Sequence, residues 1–193
     1  MRQNAMLLGI CAAASLLLLA AAVPATGKTK TRTFSSGTIN RPIPDTVGKF
    51  GEEIAPSIRV KARGRVRDVN VAVRISHPDS RDLSLSVANP VFKGFRLREN
   101  GQLNDPKGAD FGVGPAGCAG TPTLFDTQAP TSILQGSPPF AGTFAPVSPL
   151  SGFNGGQMRG KWSLSILDHF ETNVGVLNCW KLIIRYKPER RKR

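Results

Sequence analysis

GKWSLSILD at residues 160–168 and GVLNCWKLII at residues 175–184 decide how this chain folds. In the first stretch Trp162, Leu164 and Ile166 alternate with polar residues. In the second Trp180, Leu182 and Ile184 do the same, continued by Tyr186. A period of two is the mark of a strand with one face buried. Each strand is anchored by one of the chain's two tryptophans, and Gly175 marks a turn between them. Upstream, Ile58, Val60 and Ala62 alternate with Arg59, Lys61 and Arg63, and Val69, Val71, Val73 and Ile75 form the longest such run. Parity changes between Val66 and Val69, which predicts a turn or bulge within residues 64–68. Leu83, Leu85 and Val87 follow, then Phe95 and Leu97, with shorter strands expected at Thr123–Phe125 and Gly142–Phe144. The 20 glycines and 15 prolines interrupt any long helix. About eight short, mostly antiparallel strands predict an all-β jelly-roll β-sandwich.

The chain divides around this core. Residues 1–25 read as a signal peptide: Arg2, an apolar run from Ala5 to Val23 broken only by Ser15, and the small residues Val23-Pro24-Ala25. A retained membrane helix is the rival reading, because the run is almost long enough to span. Cleavage predicts a secreted protein without a transmembrane helix. Residues 26–42 are expected to be a basic, disordered leader, 43–186 the sandwich, and 187–193 a basic tail. Lys and Arg total 26 against 13 Asp and Glu. From Ile43 to Tyr186 the balance is 16 to 12, so most of the excess lies outside the sandwich. That distribution argues against a basic globular face for specific nucleic-acid binding.

Cys11 falls in the signal peptide, which leaves Cys118 and Cys179. Two cysteines in an exported chain predict one disulfide. Closing a loop of about sixty residues would contribute about 4 kcal/mol in the chain-entropy model.

Over Ile43–Tyr186 the order of short motifs resembles the P domain (P/Homo B domain) that follows the catalytic domain of kexin- and furin-like proprotein convertases and bacterial subtilisin-like proteases. The motifs are Ile43-Pro44-Asp45, VNVAVRISH ending at His77, DLSL from Asp82, Asn89-Pro90, LFD ending at Asp126, and PFAGTFAP over residues 139–146. LSGF from Leu150, GKWSLSILD and GVLNCWKL complete the series. The resemblance implies a jelly-roll sandwich, calcium in some members, and a role in stabilising a neighbouring protease domain. The chain departs from the pattern in two places. Asp126-Thr127 stands where two acidic residues are common, and Arg81 where a glycine often precedes Asp-Leu. No HGT or GTSMA segment of a subtilisin-like catalytic domain occurs.

A Ser-His-Asp triad would have to use His77 or His169, the chain's two histidines. His77 ends a strand before Pro78 and is expected to make a turn hydrogen bond close to Asp82. His169 directly follows Asp168, and strand neighbours point to opposite faces, so the two cannot act as base and orienter. No serine sits in a GxSxG elbow. Asp82, Asp126 and Asp168 flank strand ends and are the candidate calcium ligands, with Asp105 and Asp110 in reserve; capping of local turns is the alternative. Arg59, Lys61 and Arg63 share one strand face about 6.7 Å apart, with Arg65 and Arg67 as a continuation. They suit an anionic surface polymer, or else protect an edge strand from unwanted pairing. Trp162 and Trp180 are expected in the core rather than on a sugar-binding face, and the phenylalanines beside loops are expected to pin those loops down.

These readings predict a secreted, non-catalytic accessory module that binds an extracellular protein, with a separately encoded serine protease as one such partner. A polyanion-binding adhesion module is the alternative. Serine-type endopeptidase activity is a third reading that the residues do not support, and no cofactor is required.

Overall fold

The computed structural model describes residues 28–46, 51–101 and 107–189, so the expected signal peptide and the last four basic residues lie outside it. Ten strands are found among the described residues: β1 (Lys30–Ser35), β2 (Arg41–Ile43), β3 (Ser57–Val60), β4 (Gly64–Ser76), β5 (Leu83–Ala88), β6 (Gly94–Arg98), β7 (Thr123–Phe125), β8 (Gly142–Phe144), β9 (Gly160–Asp168) and β10 (Gly175–Pro188). They form two sheets. One runs β1-β10-β4-β7-β8, with β2 also paired to β10; the other runs β3-β9-β5-β6. All pairings are antiparallel except β7 with β8. The expected jelly-roll sandwich is therefore what the sequence builds.

The period-two pattern decides what faces inward. On β9, Trp162, Leu164, Ile166 and Asp168 are buried, while the residues between them are partly exposed. On β4 the inward series Val69, Val71, Val73 and Ile75 continues to a buried His77. Both indoles are fully buried. The Trp162 Nε1–H donates to the Met158 carbonyl at 2.9 Å, and the Phe153 ring meets it edge-on at 5.0 Å. Each buried indole contributes on the order of 3 kcal/mol.

Two irregularities shape the long β4–β10 ladder. Tyr186 pairs with Val66 and Arg185 with Asp68, which leaves Arg67 as the bulge expected near residues 64–68. A second shift, between Leu177 and Cys179, leaves Asn178 unpaired in the ladder. Its carbonyl instead accepts from Ile39 and its side chain donates to Ser76. The shift resets β10 so that Trp180 faces inward while Cys179 faces outward, beside Arg74.

That outer position fastens the long loop after β6. Cys118 and Cys179 form the expected disulfide, with a Cα separation of 5.2 Å. The Arg74 guanidinium donates to the carbonyls of Val113, Gly114, Pro115 and Ala119, all in the same loop. A cation capping four carbonyls and a covalent bridge thus hold one irregular segment against the sheet.

Three sequence expectations are corrected. The stretch expected as a disordered leader contains β1, which pairs over its whole length with β10, and most of β2. Charge obscured this, because Phe34 and Ile39 pack against the core and supply the apolar contribution. The expected tail loses Lys187 and Pro188 to β10, whose pairing with β4 runs on to Gly64. Phe92 does not pin a loop: it is 88% exposed. Phe111, Phe125, Phe140 and Phe153 are buried as expected.

Candidate functional site

At one end of the sandwich the two sheets are joined by a polar clasp. His77 and Asp168 continue the inward series of β4 and β9, strands of opposite sheets. They meet with Nε2 and Oδ2 2.8 Å apart, both side chains fully buried. The Asp79 backbone N–H donates to His77 Nδ1 at 3.2 Å. An acceptor at Nδ1 assigns the proton to Nε2, so the imidazole donates to Asp168. The other Asp168 oxygen accepts from the Phe170 backbone N–H at 3.2 Å. Its main-chain carbonyl accepts from Thr46 Oγ1 at 2.5 Å. Gly175 of β10 closes the site, since a Cβ there would land on the imidazole.

A 3₁₀ turn over Ser80–Asp82 brings in two more carboxylates. Asp79 caps the turn and grips Arg81 through Nε and Nη2. Those hydrogen bonds hold its carboxyl below the usual carboxylate range, against the opposing effect of burial. Asp82 is pushed the other way. Burial raises its pKa, the hydrogen bond from Asn173 Nδ2 at 2.9 Å opposes this, and the charges of Asp79 and Asp168 add to the rise.

His77, Asp82 and Asp168 place one potential ligand atom each within 4.8 Å of one another. Two of the three expected calcium ligands are therefore together, but the third is not. Asp126 directly follows β7, where it accepts from Asn70 and from the Gln128 backbone. Asn70 precedes His77 by seven residues on β4, about 20 Å along a strand. Asp110 accepts from the His77 backbone N–H at 2.9 Å, and Asp105 lies outside the described residues. Calcium takes six to eight oxygens. This set offers a nitrogen that is already donating, an aspartate with both oxygens engaged, and a second with one engaged. The donors present do not fit calcium; they fit a closed hydrogen-bonded clasp.

The histidines also decide the chemistry available. His169 falls on the outer face of β9, where its Nε2 lies 2.9 Å from Ser84 Oγ of β5. This pair opens on a concavity of about 690 Å³ whose lining includes Ser86, Arg96, Glu99 and Ser165. A serine hydroxyl thus does meet an imidazole, which the sequence reading missed, although the alternation on β5 and β9 contained it. Among the described residues no carboxylate hydrogen-bonds to that ring. The carboxylate-braced imidazole is His77, which faces the interior and, among the described residues, hydrogen-bonds to no serine hydroxyl. The chain holds the two halves of a triad on opposite faces of one sheet.

The basic stripe is not one strand face: β3 ends at Val60, so Arg59 stands on β3, Lys61 and Arg63 lie in the connection that follows, and Arg65 and Arg67 lie on β4 of the other sheet. Arg59, Lys61, Arg63, Arg65 and Arg67 are all exposed. β3, which carries Arg59, is an edge strand of its sheet. Neither indole is available to stack on a ligand. No helix among the described residues is long and apolar enough to cross a membrane.

No protein-family model and no curated protein matches the chain. Solved structures resemble it in part, and two of them are from Aeromonas sobria. A chain of the Aeromonas sobria serine protease–chaperone complex is 16% identical with a TM-score of 0.49, over 84% of this chain and 28% of that one. The A. sobria serine protease structure gives 15% identity and a TM-score of 0.48, over 82% and 27% respectively. The chain therefore spans less than a third of those proteins.

Proposed function

We propose that this chain is a secreted, non-catalytic accessory module that binds and stabilises an extracellular protein, with a serine protease of the subtilisin-like class as the favoured partner. The partner class rests on the motif series over Ile43–Tyr186, which resembles the domain such proteases carry beside their catalytic unit. The absence of catalysis rests on one observation. Ser84–His169 and His77–Asp168 occupy opposite faces, so neither pair can complete the other.

In this reading the clasp keeps the two sheets in register and leaves the outer surfaces free for recognition. A calcium requirement is not part of the proposal, because the donor set does not suit the ion. The test mixes the purified chain with secreted subtilisin-like proteases from the same source. Refolding yield and thermal stability of each protease are measured with and without it. One protease gaining several degrees at stoichiometric chain supports the proposal. Retention only on anionic polymers, lost in salt, favours the adhesion reading instead. Turnover of fluorogenic peptides by the chain alone would overturn the non-catalytic assignment.

A further inference from the structure

The end of the sandwich opposite the clasp carries a different feature. Between β5 and β6 the chain turns through Asn89–Lys93, and at its tip Val91 and Phe92 are 75% and 88% exposed. This tip is held rigidly. Asn89 Oδ1 accepts from the backbone N–H groups of Val91 and Lys93, and the Phe92 N–H donates to the Asn89 carbonyl. Pro90 is seated against Gly160, where a Cβ would come within 2.5 Å of it. Phe92 itself is held at φ 60°, a conformation an aromatic residue rarely adopts. A backbone conformation that costs energy thus holds a phenylalanine almost wholly in water.

The surroundings are basic. Gly160 pairs with Val60 and Lys161 with Arg59, so Arg59, Arg159 and Lys161 lie at strand ends beside the tip, Lys61 and Arg63 follow in the connection to β4, and Lys93 stands in the turn itself, its Nζ donating to the Gly152 carbonyl. Glu189 is the opposing charge there, engaged by Arg65 at 3.4 Å and by Gln157. β10 also ends at this pole, Pro188 pairing with Gly64. The sequence then continues Arg190-Arg191-Lys192-Arg193, four further cations.

We propose that this pole docks on an anionic lipid surface, with Val91 and Phe92 entering the headgroup–acyl boundary and the surrounding cations meeting lipid phosphates. An apolar wedge ringed by cations is what a charged, oil-backed plane selects. A soluble polyanion would use the cations and leave the wedge idle.

Phe92→Trp in the full chain reads the contact locally, since Trp162 and Trp180 are buried and give a constant background. Phe170→Trp is the control, an exposed position next to His169 at the opposite pole. Vesicles are phosphatidylcholine alone, or with one third phosphatidylglycerol. The expected result is a blue shift of the Phe92→Trp emission, quenched by brominated acyl chains, on the anionic vesicles only. The Phe170→Trp emission should not change. Arg159→Glu with Lys161→Glu should weaken the apparent affinity at least tenfold, with the melting temperature unchanged. An unshifted Phe92→Trp emission on both vesicles overturns the proposal. So does an equal shift with soluble heparin, or one that appears equally on neutral vesicles.

Discussion

Replacing Asp168 by asparagine is the sharpest probe of the clasp. The change keeps the shape of the side chain, but Asp168 accepts two hydrogen bonds, from His77 Nε2–H and from the Phe170 backbone. An amide has one oxygen, so either orientation turns its NH2 against a donor. The variant loses a carboxylate acceptor worth about 1.5–3 kcal/mol and leaves a donor unpaired at about 1–3 kcal/mol. Partial relaxation brings the expected cost to about 3 kcal/mol. For a domain of this size that is a fall of about 6–12 °C in melting temperature. Emission of the two buried tryptophans reports the transition, together with urea midpoints. A double-mutant cycle with His77→Ala and Asp168→Ala should give a coupling of about 2 kcal/mol, because the partners are in direct contact. A shift under about 2 °C for Asp168→Asn, or a coupling near zero, would refute the idea that this pair joins the sheets.

Other outcomes follow from the same geometry. Gly175→Ala should lower stability by about 2 kcal/mol, since the added methyl must displace the His77 ring; an unchanged urea midpoint would count against the packing described. Replacing Cys118 and Cys179 by serine should cost up to about 4 kcal/mol, with proteolytic nicking concentrated in residues 113–121, because beyond the Phe111 bridge to Ile75 the main remaining tie of that loop to the sheet is Arg74. The carboxyl of Asp79 is depressed, so its contribution is present above the unfolded carboxylate value, about pH 4, and is lost as pH falls through the folded value. Asp79→Asn should therefore be less stable at neutral pH and lose less on acidification. Asp82 is raised, so its charge opposes folding at neutral pH. Asp82→Asn should melt at the same temperature or slightly higher at pH 7, and a fall of more than about 4 °C would contradict an opposing carboxylate. Chelators should leave the melting temperature of the parent chain unchanged; a measurable fall would restore a structural metal.

The sandwich was legible because its strands carry unusually regular alternation. Val69 to Ile75 and Trp162 to Ile166 each assign every side chain to a face, and parity alone confined the bulge to residues 64–68, where the ladder register puts it at Arg67. The same rule carried to the strand ends would have sent His77 and Asp168 inward and His169 outward beside Ser84. What sequence does not contain is which strand ends of the two sheets lie above one another, and the clasp depends on that. Asp126 was grouped with Asp82 and Asp168 because all three flank strands, yet strand order places it by Asn70. β1 was hidden for a different reason. Lys30-Thr-Arg-Thr-Phe-Ser35 has little apolar content, and its stability comes from pairing to β10 across a long sequence separation. The alternation that sends Val73 and Ile75 inward puts Arg74 on the outer face, and the return of the loop over it makes it a clamp.

Labelling of the chain with a fluorophosphonate, read by intact mass, tests the central claim most directly. With the serine-bearing imidazole unbraced and the braced imidazole buried, the mass should stay unchanged after prolonged exposure. A stoichiometric adduct on Ser84 that disappears in His169→Ala would contradict it.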